Sequence, residues 1–438
     1  MKDLRKKLES LYSKSDEPEN QADSSGTIRT ELDRLFSHQK GVKYFAESQI
    51  EKETRSISDF VQGSWINTHF GDIFRAESDY PLIDPYGNLN LKTIYNFTFS
   101  DFSSVFQLEI TVNAEKLLFI DTETTGLSGG AGTVAFLIGL GWLAGDRFIV
   151  HQYFITQLNH EKGMLELIRK LIPNFDCIVT YNGKSYDIPL LNSRFIMNRM
   201  SPPFDNLCHI DLLHPTRTLW KFSMENCKLK TVETDLLGLY REDDIPGEMI
   251  PDVYFDYLRN RRAEKIERIF YHNRFDVITM LANLILIVRA HLSSEPEKNP
   301  LTDFAKAKLF TRKKDIDRSI SHYKHVLNSA ISGPRRQKTY IELAALFKKD
   351  QKFDEAVHYW NLALNSQFPF MLEPYVELAK YYEHRQNKYA EAIRICQSAL
   401  KELPFHRNRE KLDIEKRINR LYGKLQSKTR ANRSANGK

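Results

Sequence analysis

Leu117-Leu118-Phe119-Ile120-Asp121-Thr122-Glu123-Thr124-Thr125-Gly126-Leu127 is the stretch on which the reading of this chain turns. Four apolar residues lead into two acids one residue apart, and then into Thr-Thr-Gly. The apolar run predicts a buried strand, and residues two apart on a strand project from the same face. Asp121 and Glu123 are therefore expected to aim two carboxylates at one point where the strand ends. Held that close, both stay ionised only with a cation between them. An all-oxygen donor set selects a hard ion such as magnesium or manganese. A bare Asp-x-Glu pair is more often a solvated strand end. The strand before it and the turn after it favour instead a metal site suited to cutting phosphodiesters.

Length and composition bound the rest. At 438 residues, 41% apolar and 27% charged, the chain has the make-up of a soluble globular protein of two or three domains. No apolar run reaches the ~18 residues of a membrane span, so no membrane association is expected. The charged amino terminus is followed by no apolar core and does not read as a secretory signal. Cys177, Cys208, Cys227 and Cys396 lack CxxC spacing. That argues against a zinc site or a disulfide framework and suits a reducing cytoplasm. Of the formal charge of +6, the stretch from Pro404 to Lys438 carries +8 and the remainder −2. The tail is thus either an electrostatic lure for nucleic acid or a solvated helix end.

Along the chain, residues 1–42 read as a flexible segment. Residues 43–115, rich in aromatics from Tyr44 to Phe99, read as an ordered lead-in packed on the next domain. Residues 116–295 alternate strands and helices. Strands are expected at Leu117–Asp121, Val134–Leu143, Phe148–Ile155, Cys177–Tyr181 and Cys208–Leu212, with helices at Lys162–Leu171 and Pro189–Met200. Three strands joined by tight turns and two joined through helices give a mixed five-stranded sheet with flanking helices, the outline of a ribonuclease H-like fold. From residue 302 to 426 the chain repeats itself. Tyr340–Leu364 matches Tyr375–Leu400, and Ala305–Leu327 is a weaker copy. The period and the alanines at 344, 356, 379 and 392 resemble tetratricopeptide repeats, an all-α solenoid. Leu412–Leu425 is the expected capping helix, and 427–438 a basic disordered tail.

One carboxylate pair cannot clamp two ions, so further acids are expected. Asp187, in Thr180–Leu191 (TYNGKSYDIPLL), follows a strand and an Asn182-Gly183 turn and opens a helix. A helix cap is the plainer role for such an Asp. Asn182, Lys184 and Tyr186 are placed to touch a sugar, phosphate or base, although Tyr186 could equally pack in the core. Asp276, in Ile269–Leu286, opens or sits early in a long helix, and His272, four residues before it, lies on the same side if the helix has already begun. A histidine beside a metal-bound carboxylate can take a proton from water; otherwise His272 is a buried, hydrogen-bonded side chain. Gly129, Gly130 and Gly132 read as a flexible turn, because no Gly-Lys-Ser/Thr follows. Asp211 and His214 lie near the site, either in a substrate groove or as structure alone. Arg274 is left between a phosphate contact and an acid pair.

These motifs carry a resemblance. DTETTG resembles the first motif of the DEDD exonucleases, and the strand-loop-helix around Asp187 resembles their second. DTETTGLSGGAGTVAFLIGLG, YNGKSYDIPLL, DLLHPTRTLW, CKLKTVETDLLG, DIPGEMIPDVYFDYLR and HNRFD together look like the YprB-type ribonuclease H-like domain, over roughly residues 60 to 292. The resemblance implies Asp121, Glu123, Asp187 and Asp276 as ligands of two magnesium or manganese ions about 4 Å apart. It further implies His272 as catalytic base and Thr124, Asn182, Lys184 and Tyr186 as substrate contacts. Histidine-type DEDD enzymes carry His five residues before the last Asp, and tyrosine-type enzymes Tyr four before. Here Tyr271 stands at minus five and His272 at minus four. The implied activity is 3′–5′ exonucleolytic hydrolysis of DNA or RNA, with the repeats binding a protein partner. A non-catalytic nucleic-acid scaffold and a structure-selective endonuclease are the rival readings.

Overall fold

The computed structural model describes residues 56–126, 132–366 and 369–435. Contacts divide the chain after Thr54, and all the described residues belong to the second unit, Arg55–Lys438. The expected flexible segment 1–42 and the glycines at 129 and 130 lie outside the described residues.

Among the described residues nine strands form: β1 (Gly63–Thr68), β2 (Gly71–Pro81), β3 (Pro85–Tyr86), β4 (Leu89–Asn90), β5 (Leu117–Thr124), β6 (Ala135–Ala144), β7 (Arg147–Ile155), β8 (Cys177–Thr180) and β9 (Cys208–Asp211). Seven of them make one sheet in the order β1-β2-β7-β6-β5-β8-β9. The five expected strands are its core, within a few residues of their expected bounds. The expected count of five is corrected to seven, because the aromatic-rich lead-in adds two strands beyond β7, β2 and then β1 at the edge. β2 pairs antiparallel with β7, from Ile73 opposite Ile155 to Pro81 opposite Arg147. β5 to β7 form an antiparallel meander, while β5-β8-β9 run parallel, with α-helices completing the crossovers.

The helices of this part are α1 (Phe99–Phe106), α2 (Glu161–Leu171), α3 (Asp187–Met197), α4 (Leu213–Trp220), α5 (Leu229–Val232), α6 (Ile250–Asn260) and α7 (Ile266–Leu292). Successive residues of β5 feed opposite cores. Leu118 and Ile120 join one apolar cluster, Leu117 and Phe119 the other. α7 is long and apolar enough to cross a bilayer by length and composition, yet 78% of its most apolar window is buried inside the protein. It is a core helix, laid across β5, β6 and β7. It comes close because β6 offers glycines there. A Cβ at Gly141 would stand 2.5 Å from both Val277 Cγ1 and Phe148 Cζ.

Cys177 and Cys208 face each other across β8 and β9 and form a disulfide. This corrects the expectation, drawn from the cysteine spacing, that disulfides play no part. Chain spacing does not register a pairing that arises from the parallel register of two strands 31 residues apart. Cys227 and Cys396 are free.

The remaining chain folds as helical hairpins: α8 (Pro300–Arg312) with α9 (Ile316–Asn328), α10 (Gly333–Lys349) with α11 (Phe353–Leu364), and α12 (Leu372–His384) with α13 (Tyr389–Glu402). These are the three repeats read from the sequence. Ala344, Ala356, Ala379 and Ala392 are all fully buried, letting helices close on one another. α14 (Asn408–Ala435) covers the end of the stack through Ile414, Ile418 and Leu421. It overruns the expected cap, and residues 427–435 of the expected disordered tail are helical, while 436–438 lie outside the described residues. Arg417, Arg420 and Lys424 turn toward the buried Glu383 of α12, at 2.8–3.0 Å. Part of the tail's positive charge is therefore spent inside the fold. The stack meets the sheet domain where Phe222 packs on Phe304 and Arg335 covers both rings.

Replacing Gly141 with alanine should cost about 1–3 kcal/mol of stability, because neither Phe148 nor Val277 can retreat within a packed core. A denaturant midpoint equal to that of the parent would contradict the close seating of α7 on β6.

Candidate active site

Asp121 and Glu123 lie on the same side of β5 as Phe119, the side facing Gly141 and Gly139 of β6. α7 covers that side. A Cβ at Gly139 would fall 2.2 Å from Asn273 Oδ1. The absent side chain thus leaves the space from which buried Asn273 reaches Asp121, donating from Nδ2 to Oδ2 at 2.7 Å. Gln152 of β7 fixes the amide by donating to Asn273 Oδ1 at 2.9 Å and to the Phe270 carbonyl at 2.8 Å. Asp187 is the first residue of α3 and not its cap. Its Oδ1 accepts from Thr122 Oγ1 at 2.5 Å, which ties the helix start to β5.

Asp276 lies well inside α7, past its first two turns, and not near the helix start as the sequence suggested. His272 is one turn before it, with Nε2 at 3.6 Å from Asp276 Oδ2 and Nδ1 at 2.8 Å from Asp244 Oδ1. Arg241 is almost wholly buried. Its guanidinium holds both oxygens of Glu233 at 2.6 Å and also bonds Asp276 Oδ1. Glu233 opens a π-helical turn after α5 and accepts from Thr279 of α7. Losing the guanidinium alone would strand two carboxylates, a change that costs about 3–5 kcal/mol in buried pairs.

Four carboxylates from three elements thus share one neighbourhood. Burial first, and then Asp276, Glu123 and Asp187, push the Asp121 carboxyl well above the ordinary carboxylate range. Burial raises Glu123 to about 8, with Asp276 and Asp187 adding to the shift and His272 opposing it. Burial raises Asp187 to about 6 against the lowering effect of Thr122. His272 moves to about 9, because its bond to Asp244 and the charges of Asp276 and Glu123 outweigh the burial that would lower it. A protonated His272 is a positive charge and a potential acid. It can accept a proton only when the carboxylates facing it are neutralised. Tyr271 turns away, its ring against Phe275 at 4.4 Å, and burial raises its phenol above the ordinary value. Arg274 pairs with no acid among the described residues and stands by the rings of Tyr271 and Phe275.

The donor set fits a hard divalent ion. It is all carboxylate oxygen, and its mutual repulsion is only partly offset by Arg241 and His272. Among the described residues, no three such side chains are gathered into a ready-made ion cage. Asp276 is held instead by Arg241 and His272.

The expected substrate contacts fall in two adjoining clefts. Asp121, Thr124, Asn182, Tyr186 and Asp187 line one of about 390 Å³. Tyr186 is 56% exposed there, which removes it from the core. Thr124 spends its hydroxyl on the Gly126 carbonyl at 2.8 Å. Lys184 lines the second cleft with His214 and Arg217. Asp211 binds the backbone N–H groups of Asn182, Lys184 and Leu213 at 2.9–3.1 Å, so it fixes the loop beneath both clefts. Reading the sequence alone missed Arg241, Glu233, Asp244, Asn273 and Gln152. Glu233, Asp244 and Asn273 stood inside the quoted motifs, but nothing in a single chain gave them partners.

Two comparisons bear on the chain's kinship. A family model described as the RNase_H superfamily matches residues 118–286. The protein named "Uncharacterized protein YprB" from Bacillus subtilis (strain 168) is 31% identical over 318 residues, covering 72% of this chain and 76% of that one. The family model ends at residue 286, before the helical hairpins.

Protons on the carboxylates have a thermodynamic consequence. Between the ordinary carboxylate value, about 4, and the value of about 8 at Glu123, the metal-free folded chain binds more protons than the unfolded one. Its stability must fall as pH rises through that window, and His272 acts in the same direction up to about 9. The melting temperature in chelator should therefore drop from about pH 5 to about pH 8, with manganese restoring it at the upper end and doing little at the lower. A manganese effect independent of pH would contradict a shared carboxylate site.

Proposed function

The chain belongs to the YprB-type family within the ribonuclease H superfamily, and from that premise we propose that it is a metal-dependent nuclease, a 3′–5′ exonuclease acting on DNA or RNA. The observation that carries this reading is the convergence of Asp121, Glu123, Asp187 and Asp276, in which Asp276 and Asp187 raise the proton affinity of both Asp121 and Glu123. A protein with no use for a cation gains nothing from such crowding beside a site for phosphate.

In this reading the four acids hold two magnesium or manganese ions. Bound there, such ions polarise a phosphate and lower the pKa of an attacking water. Asn273, fixed by Gln152, orients Asp121. Thr122 orients Asp187, and Arg241 with His272 orients Asp276. His272 gives up its proton once those carboxylates are neutralised, and then serves as the base for water. Asn182 and Tyr186 contact the terminal nucleotide, and Thr124 shapes the strand end beside it. The stacked hairpins present surfaces for a protein partner. The pairing of Asp276 with Arg241 favours one second reading, a nucleic-acid-binding scaffold that does not cut.

With end-labelled single-stranded DNA and RNA and manganese, the full chain should release mononucleotides. Asp121→Ala should lower the rate by at least about a hundredfold, a loss of ~2.7 kcal/mol or more in barrier terms. Oligonucleotide products would replace the exonuclease by an endonuclease. Binding without manganese-dependent products from the parent chain would establish the scaffold.

A further inference from the structure

The second cleft, about 500 Å³, meets the carboxylate cleft at Asn182, which lines both. The two differ in charge. One is walled by Asp121 and Asp187, the other by Lys184, His214 and Arg217. His214 and Arg217 stand three residues apart on α4, so they share a helix face, and both are exposed. Lys184 is exposed on the loop between β8 and α3.

Asp211 is the acid of this cleft, but its oxygens are committed to three backbone N–H groups. Neither Lys184 nor Arg217 has a carboxylate partner among the described residues. His209, also in the wall, is bound to Thr180 at 2.8 Å and is held neutral, so it adds no charge. Half-buried Phe106 contributes an apolar surface to the same cleft. Unpaired cations beside an aromatic surface suit a polynucleotide, which offers phosphates and flat bases at alternate positions.

We propose that this cleft binds the continuation of a single nucleic-acid strand whose end lies at the carboxylates, with Lys184 and Arg217 on its backbone phosphates and a base against Phe106. Only the placement of the strand's end rests on the nuclease reading. A shared wall at Asn182 makes the path continuous: a nucleotide leaving the acidic cleft enters the basic one directly. Affinity would then come from the strand behind the cut and not from the acidic cleft, where phosphate is repelled until cations are bound.

The test is binding of single-stranded DNA and RNA of about 12 nucleotides by the full chain carrying Asp121→Asn, followed by fluorescence anisotropy across a salt series. Adding Lys184→Gln and Arg217→Gln should weaken binding roughly tenfold and reduce the slope of log affinity against log salt by about 1.4, the share of two phosphates on a single strand. Arg394→Gln with Lys401→Gln, on the hairpins, should change neither. Equal losses from both pairs, an unchanged slope in the cleft pair, or no strand binding by the parent would each overturn the proposal. Hydrolysis is assayed separately with Asp121 intact. A fall in slope without any hydrolysis leaves the cleft standing and removes the nuclease, and hydrolysis with an unchanged slope does the reverse.

Discussion

The approach of α7 to β6 at Gly139 and Gly141 sets the distances on which the site depends. With no side chain at these two positions of β6, the helix settles against the sheet, Val277 over Gly141 and Asn273 over Gly139. Asn273 then reaches Asp121, and Asp276, one turn further along, comes near enough to Asp121 and Glu123 to shift their protonation. A side chain on either glycine would lift the helix and separate the acids. The same helix anchors the fold, since most of its apolar length is buried. Stability and the spacing of the carboxylates are therefore set by one contact.

Crowding negative charge carries an energetic cost, and the surrounding residues reduce it in two ways. Arg241 and His272 supply positive charge to Asp276, while protons remain on Glu123 and Asp187 well above the pH at which free carboxyls lose them. Buried like charges are tolerated only with such compensation. Two carboxylates outside the expected set, Glu233 and Asp244, keep Arg241 and His272 in place. The site is thus larger than its four acids.

The fold was legible in sequence where periodicity is local. Leu117 to Ile120 announced β5, and the repeated alanines announced the hairpins. Asp121 and Glu123 followed from strand alternation, Asp187 from its place after a strand and turn, and Asp276 from a long helix in the same domain. What stayed hidden depends on contacts between distant segments. β1 and β2 carry aromatics in no clean alternation, so they read as packing and not as strands. The Cys177–Cys208 pair depends on the register of β8 and β9. Arg241 meets Asp276 across 35 residues and Asn273 meets Asp121 across 152, so neither partner is visible from its neighbours in the chain. The Gly-Leu-Gly of β6 reads in sequence only as part of a strand, and nothing local shows that it also seats a helix.

Four carboxylates of one neighbourhood are expected to bind divalent cations together. Crystals of the full chain soaked in manganese, measured for anomalous scattering at the manganese edge, test it most directly. Anomalous density is expected among the carboxylates of Asp121, Glu123, Asp187 and Asp276, with Asp276 drawn away from Arg241. Density elsewhere, or none while Asp276 stays on Arg241 at saturating manganese, would contradict it.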